Sequence, residues 1–508
     1  MGESIAAHHG AADEAPITAW SAALPRITPT PPRIGIFGIG LAAYWPQFAG
    51  LKERLEGYQH AIEQHLSAQE CLVVSAGLVD SAPGAREAGM LFAREDVDLI
   101  ICYVGTYATS SQVVPAVQHL NKPVLILNLQ PIAALDYEHT DTAEWLANCC
   151  ACCVPEIAGA FTRCNIPFNV VSGLLHEADG AAGTRAWREI RDWVTAAKAR
   201  RALRTGRIGF LGHTYPGMLD MYSDFTMISG QTGLHVEVLE MDNLQERVDA
   251  ASPAQVAAVL DQTRTLFQIS EDSPSDPLAR APAAEELAWA ARVAVGLRTM
   301  CDDFALDGLS YYYRGLQGNA YERLGAGVIL GNTLLTGRGI PCAGEGDTKN
   351  AIAMLIMDRL GAGGSYTEFY AMDFVDDFVL MGHDGPFHLG VAESQPILRG
   401  LGLYHGKSGN GVSVEARVKT GPVTILTVTQ TAAGHLKLMV AEGEAQSGPV
   451  LHIGNTNSRL KFALPPAEFM DHWCAEGPTH HCALGVGHHA RTILKLGRLL
   501  GLEVAHIH

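Results

Sequence analysis

The sequence predicts an α/β protein: two doubly wound parallel-sheet domains followed by a mixed C-terminal domain that contains an antiparallel β-barrel. Three observations predict it. Continuous apolar runs alternate with helical patterns over most of the 508 residues, as in a parallel sheet covered on both faces. The run RIGIFGIG at 33–40 is echoed by RIGFLGH at 207–213, which suits two sheet domains of similar kind. Past about residue 405 the texture changes to short alternating runs separated by glycines, the pattern of an antiparallel meander or small barrel. At roughly 150 residues per domain, the length suits about three domains.

The elements follow in order. Residues 1–32 are rich in Ala, His and Pro and end in TPTPPR. They read as an N-terminal extension, ordered only if it docks on something. The first α/β domain, 33–205, opens with the strand RIGIFGIG. A helix follows at roughly 46–66, then CLVVSAG (71–77), a helix near 83–95, DLIICYVG (98–105) and PVLILNLQ (123–130). The glycine pattern after the first strand has no third glycine and no acidic partner, so it is a weak dinucleotide fingerprint. An amphipathic helix at 186–204 closes this domain. The second α/β domain, 206–350, contains RIGFLGH, a helix near 284–303, GLSYYYRG (308–315) and the turn after IPCAGEGD (340–347). The C-terminal domain, 351–508, holds GVSVEARV, GPVTILTVTQ, HLKLMVAEGEA and PVLHIGN as strands, a helix at about 484–501 and a last short strand.

Composition narrows the function. Fifty-four acidic against 36 basic side chains give a net charge of −18. That balance disfavours nucleic acid or an anionic membrane as the main partner. An apolar fraction of 47% with 18% charged residues is globular, and no apolar run reaches membrane-spanning length. The N-terminus lacks a basic region followed by an apolar one, so no secretory signal is expected. Eleven cysteines, an odd number, suit reduced thiols in a cytoplasmic protein.

Four islands place ionisable residues inside glycine-rich turns. The first, Cys342–Lys349, joins a strand to a helical run, where open α/β sheets place ligands. Glycines flank Glu345, which allows close approach. Alternatively Asp347 or Thr348 simply caps the helix. The second is GGSYTE (363–368) with Asp373 beyond it. Glu368 either lies exposed at a strand edge or binds something. The third is LMGHDGP, where His383 could equally be a satisfied core histidine. The fourth runs from Glu476 through His480-His481 to His488-His489. Adjacent histidines point in different directions, so one of each pair at most suits a ligand role. Two Glu and two His from separate turns form a mixed oxygen and nitrogen set, suited to Mn²⁺, Mg²⁺ or Co²⁺ in an open site. Paired carboxylates can also work as general base and acid. The rival is Cys149-Cys150-Ala151-Cys152-Cys153, read as thiols on an apolar helix that pack as small hydrophobes. His8-His9 reads as solvated.

At these islands the chain resembles the L-arabinose isomerase and L-fucose isomerase superfamily of aldose–ketose isomerases. GEGDTKNA (344–351), SYTE (365–368), LMGH (380–383), the Trp473-to-His480-His481-Cys482 spacing and GLE (501–503) carry the resemblance. It implies that Glu345, Glu368, His383 and His481 hold a divalent metal, and that Glu345 and Glu368 are also the catalytic base and acid. It implies that His480 lines the sugar and that Gln130 and Met218 contact it. The implied reaction interconverts a pentose or hexose aldose with its ketose through a cis-enediol; a hydride shift fits the same residues. Family members are oligomeric, so the resemblance implies a homo-oligomer of three, four or six copies.

The chain departs from the family's pattern. The intervals from Glu345 to Glu368 and from Glu368 to His383 are about two residues shorter than is usual, so Asp373 competes with Glu368 as second ligand. GLAAYWPQ (40–47) lacks the family's usual Gly-Ser-Gln, which marks a divergent branch. Two other readings use the same residues. A non-catalytic sugar-binding or sensing protein would need no metal, and a metal-dependent aldolase or epimerase would give different products.

Overall fold

The computed structural model describes residues 24–274, 280–314, 319, 321–400, 411–451 and 453–508. His8 and His9 lie outside them. The chain divides into two compact units. One comprises Pro29–Ala202 with Arg498–Leu500. The other comprises Leu203–Gly497, Gly501–His508 and the described residues up to Thr28.

The first unit is a parallel sheet of β1 (Arg33–Ile39), β2 (Leu72–Val79), β3 (Leu99–Val104), β4 (Val124–Gln130) and β5 (Phe168–Leu174), in the order β2-β1-β3-β4-β5. Strand β3 is apolar throughout because it is buried, and β4 is apolar and buried except at Asn128 and Gln130 near its end. Phe37, Ile100 and Ile126 pack with Ala85, Ala88 and Phe92 of the helix Ala82–Arg94. The cysteine run departs from the expectation. Helices Thr142–Ala147 and Val154–Arg163 flank it, and Cys149–Cys153 form the turn between them. The Cys150 thiol lies 3.3 Å from the Leu129 carbonyl, and the Cys153 thiol 3.4 Å from that of Thr106. Burial pushes the Cys150 pKa up to about 12. These two thiols pack against the C-terminal end of β4 and the residues just past β3, and all eleven cysteines are free.

The second unit begins with β6 (Arg207–Gly212) and β7 (His235–Leu239). A short strand β8 (Gln268–Ile269) follows, then β9 (Gly308–Tyr312) and β10 (Cys342–Ala343). Strands β10-β9-β6-β7 make a second parallel sheet. The remaining strands are β11 (Gly363–Asp373), β12 (Phe378–His383), β13 (Ile397–Gly400), β14 (Val412–Glu415), β15 (Gly421–Gln430), β16 (Leu436–Gln446), β17 (Thr456–Phe462), β18 (His481–Val486) and β19 (Glu503–Ile507). Six of them close an antiparallel barrel, β15-β18-β11-β12-β17-β16, through the β15–β16 pairing; β19 lies parallel to β16 outside it. The barrel is filled by Val379, Met381, Ile425, Met439, Leu460 and Leu484. The expected α/β-plus-barrel architecture is therefore present, with two local corrections. Residues 481–486, partly assigned to a helix, form β18, and the helix is Ala490–Leu500. The strand expected at PVLHIGN falls instead on Thr456–Phe462.

Part of the N-terminal extension is docked. The Ile27 amide donates to Arg338 O at 2.8 Å, Leu24 is buried, and Arg26 pairs with the buried Asp358. Burial opposes ionisation of Asp358, but His388, Arg359 and Arg26 hold its pKa well below the usual carboxylate range.

Gly382 on β12 marks the tightest strand approach. A Cβ there would sit 1.9 Å from Thr456 O and 2.8 Å from the Tyr370 ring. Gly382→Ala is expected to lower the stability of this unit by about 1–3 kcal/mol. Gly230→Ala, in the helix Phe225–Thr232 with no atom within 4 Å of its Cβ, should raise it by up to about 1 kcal/mol. Urea denaturation of the two variants checks the contrast.

Candidate metal centre and active site

The site is built where the β10-to-helix turn meets one end of the barrel. Glu345 and Gly346 both have positive φ, 58° and 71°. That left-handed pair turns the chain sharply from β10 into the helix Thr348–Arg359. For a glutamate the conformation is strained by about 1–2 kcal/mol. Two backbone bonds hold it: the Tyr215 amide donates to Glu345 O at 2.8 Å, and the Gly346 amide to Tyr311 O at 2.9 Å. Gly346 has no substitute, since a Cβ would lie 2.5 Å from His213 O.

Three adjacent strands supply the rest. Glu368 on β11 stands opposite His481 on β18 and opposite Gly382 on β12. Residues directly opposite share a face, so Glu368 and His481 project together. His383 ends β12 next to the bare Gly382. One ligand atom each from Glu345, His383 and His481 lie within 4.8 Å of one another, and so do those of Glu368, His480 and His481. The two triads share His481. Asp373 joins neither; it accepts from the Val375 and Asp376 amides in the β11–β12 turn.

Hydrogen bonds fix the imidazoles. His481 and Asp347 are fully buried, with His481 Nδ1 3.0 Å from Asp347 Oδ2. Burial lowers the His481 pKa to about 4, although Asp347 acts against it. The ring is thus neutral near pH 7, its Nδ1–H donates to Asp347, and Nε2 is the basic nitrogen. The Asp347 carboxylate also caps the helix, its Oδ1 accepting from the Asn350 amide at 3.0 Å. The capping reading of Asp347 was therefore correct but incomplete. The Tyr366 hydroxyl lies 2.8 Å from His481 Nε2 and 3.2 Å from Gly344 O. His383 Nδ1 lies 2.9 Å from Asp384 O. Burial would lower its pKa, but the hydrogen bond and charge of Asp384, with Glu368 behind, raise it above the usual 6.5.

His480 is half-buried beside His481, with ring centroids 3.8 Å apart. Its Nδ1 is 2.6 Å from Asp220 Oδ2. Lys349 is buried and donates to Tyr222 O at 3.0 Å and to Ser223 Oγ at 3.3 Å. Burial lowers its pKa, with Asp347 and Asp220 opposing. Met218 precedes the short turn Leu219–Met221 that carries Asp220. Gln130 ends β4 in the other unit, its side-chain amide donating to Ile132 O at 2.6 Å. Sequence reasoning missed Tyr366, Asp384, Asp220 and the buried Lys349. Tyr366 carried a signal, being two residues before Glu368 on one strand and hence on the same face.

This donor set has both carboxylate and imidazole and no thiolate, which fits a hard or borderline divalent ion in an open site. The comparisons agree with it. The model of the L-fucose isomerase C-terminal domain matches residues 398–508. An L-arabinose isomerase of Nocardioides sp. is 22% identical over 413 residues, covering 80% of this chain and 79% of its own. That of Salmonella enteritidis is 22% identical over 418 residues, 80% of each chain. That of Vibrio parahaemolyticus is 26% identical over 300 residues, 57% of this chain and 56% of its own. Among solved structures, an ABC transporter solute-binding protein from Burkholderia multivorans gives a TM-score of 0.17 at 12% identity over 56% of this chain and 81% of its own, a likeness too slight to argue from. Motifs, α/β-plus-barrel fold and relatives spanning four-fifths of the chain agree in supporting a divergent member of the L-arabinose isomerase and L-fucose isomerase superfamily.

Proposed function

We propose that this chain is a divalent-metal-dependent aldose–ketose isomerase acting on an open-chain pentose or hexose. The convergence of Glu345 and His383 on His481, with Glu368 and His480 in a second triad that shares His481, carries the reading. These four side chains hold the ion, Mn²⁺ first and Mg²⁺ or Co²⁺ in its place. When bound, the ion supplies Lewis-acid stabilisation of negative charge on the sugar oxygens.

The chain's own groups do the rest. Glu345 and Glu368 move the proton between C1 and C2 and between the two oxygens, through a cis-enediol. The backbone at Glu345 is fixed by the two amide bonds described above, which holds its carboxylate in place for that transfer. Asp347 keeps His481 in the tautomer with a basic Nε2, and the Tyr366 hydroxyl retains Gly344 O as acceptor when that nitrogen is engaged. His480 lines the sugar and Met218 contacts it. Exposed Phe374 and Val375 at the β11–β12 turn support a homo-oligomer, because such apolar groups gain by being covered. Eleven free thiols support a cytoplasmic location, and no helix among the described residues is long and apolar enough to cross a membrane.

A screen of pentoses and hexoses, deoxy forms included, with added Mn²⁺ and ketose as the readout tests the proposal. Conversion of at least one aldose is expected, with a loss on the order of 10²–10⁴-fold in Glu345→Gln and in Glu368→Gln and abolition by chelation. Ketose from none of them, or full turnover in Glu345→Gln, sinks it.

Metal binding should also release a proton. His383, raised above 6.5, is protonated in the metal-free protein just above that pH and must lose its proton to become a ligand. His481, at about 4, is already neutral there. Affinity for Mn²⁺ should therefore rise with pH through the His383 transition and not in the range of His481. Calorimetry just above pH 6.5 in buffers of different ionisation enthalpy should report net proton release on Mn²⁺ binding.

A further inference from the structure

We propose that Asp220 is the positioning residue of His480, holding that ring so that its Nε2 faces the sugar. The inference rests on the isomerase reading. Asp220 lies 260 positions before His480, on the turn between β6 and the helix Phe225–Thr232. One carboxylate oxygen, Oδ2, accepts twice from the same residue: the His480 backbone amide at 3.0 Å and the ring Nδ1 at 2.6 Å. Two bonds to one residue fix both the strand entry and the ring rotation. With Nδ1–H donated to Asp220, Nε2 carries the lone pair and is the nitrogen left for the site. His480 needs this tether, being half-buried and just beyond the irregular segment 477–479.

The tether is itself anchored. Lys349 donates to Tyr222 O and Ser223 Oγ, and Ser223 Oγ donates to Met221 O at 3.0 Å. The turn bearing Asp220 is thereby tied to the helix whose first residues follow Glu345. Neighbouring histidines thus have separate carboxylate holders. Asp347 reaches His481 directly, and Lys349 reaches His480 through the 220–223 turn. The same turn follows Met218, so one tie sets two groups expected to face the sugar.

Full-length Asp220→Ala, Asp220→Asn, His480→Ala and the Asp220→Ala/His480→Ala double variant, loaded with Mn²⁺, test it. Asp220→Ala should lose about 10–100-fold in kcat/KM, the range found for outer-shell partners of metal-ligating imidazoles and taken here for an imidazole facing the substrate. Its Mn²⁺ affinity should not change. Asp220→Asn, whose amide oxygen can accept both bonds, should stay within about threefold of the parent. In the His480→Ala background Asp220→Ala should do nothing further. Full activity of Asp220→Ala, no rescue by Asn, or losses that multiply in the double variant would each overturn the proposal. If the parent converts no aldose, the isomerase reading has failed, and ¹⁵N spectra of histidine-labelled protein decide the positioning alone. The Nδ1–H tautomer of His480, assigned by its loss in His480→Ala, should be present in the parent and absent in Asp220→Ala. Its persistence in that variant overturns the proposal.

Discussion

The hydrogen bond between His481 and Asp347 is the constraint on which this site depends. Both side chains are fully buried. A carboxylate without partners in that position is destabilising by several kcal/mol. Asp347 has both oxygens satisfied, one by the helix amide of Asn350 and one by the imidazole. The pair therefore couples two parts of the fold: the β10-to-helix turn cannot leave β18 without exposing or orphaning a charge. The helix that follows, Thr348–Arg359, is buried along its whole length, so the turn is held from behind by packing and from in front by His481.

Register does the second part of the work. Glu368 faces both His481 and Gly382 across the sheet. A one-residue slip of β11 would send Glu368 to the opposite face of the sheet and Thr367 into its place. The close passage of Thr456 O and the Tyr370 ring over Gly382 ties β11, β12 and β17 into one arrangement. The side chains gathered around His481 are thus a property of barrel register as much as of residue identity.

Much of this was legible in the sequence because it is local. The buried parallel strands announce themselves as apolar runs, and the glycines flanking Glu345 mark a turn open to close approach. What was not legible depends on distant partners or on ambiguous local patterns. HCALGV reads equally as a buried strand or the start of a helix, since a short apolar run has no decisive period; β11 and β15 on either side make it a strand. The cysteine run has helical neighbours on both sides, yet thiol contacts with the Leu129 and Thr106 carbonyls hold it as a turn. The role of Asp220 could not be read at all, because it exists only through a partner 260 residues away. Asp347 was half legible: a cap is a local motif, whereas its bond to His481 joins residues 134 apart.

The site also divides by how its parts are held. Glu345, Glu368, His383 and His481 come from regular strands or from a turn fixed by buried bonds. The groups expected to face the sugar are held more lightly. His480 is only half-buried, and Asp220 and Met218 lie on a short turn whose anchor is one lysine and a few backbone carbonyls. Changing a residue of the first kind disturbs buried charge and barrel register together. Changing one of the second kind shifts a wall while leaving the ion's ligands in place. In this architecture substrate choice can therefore drift while the donor set stays physically locked, and the turn around Asp220 is where a change of sugar would be least costly to the fold.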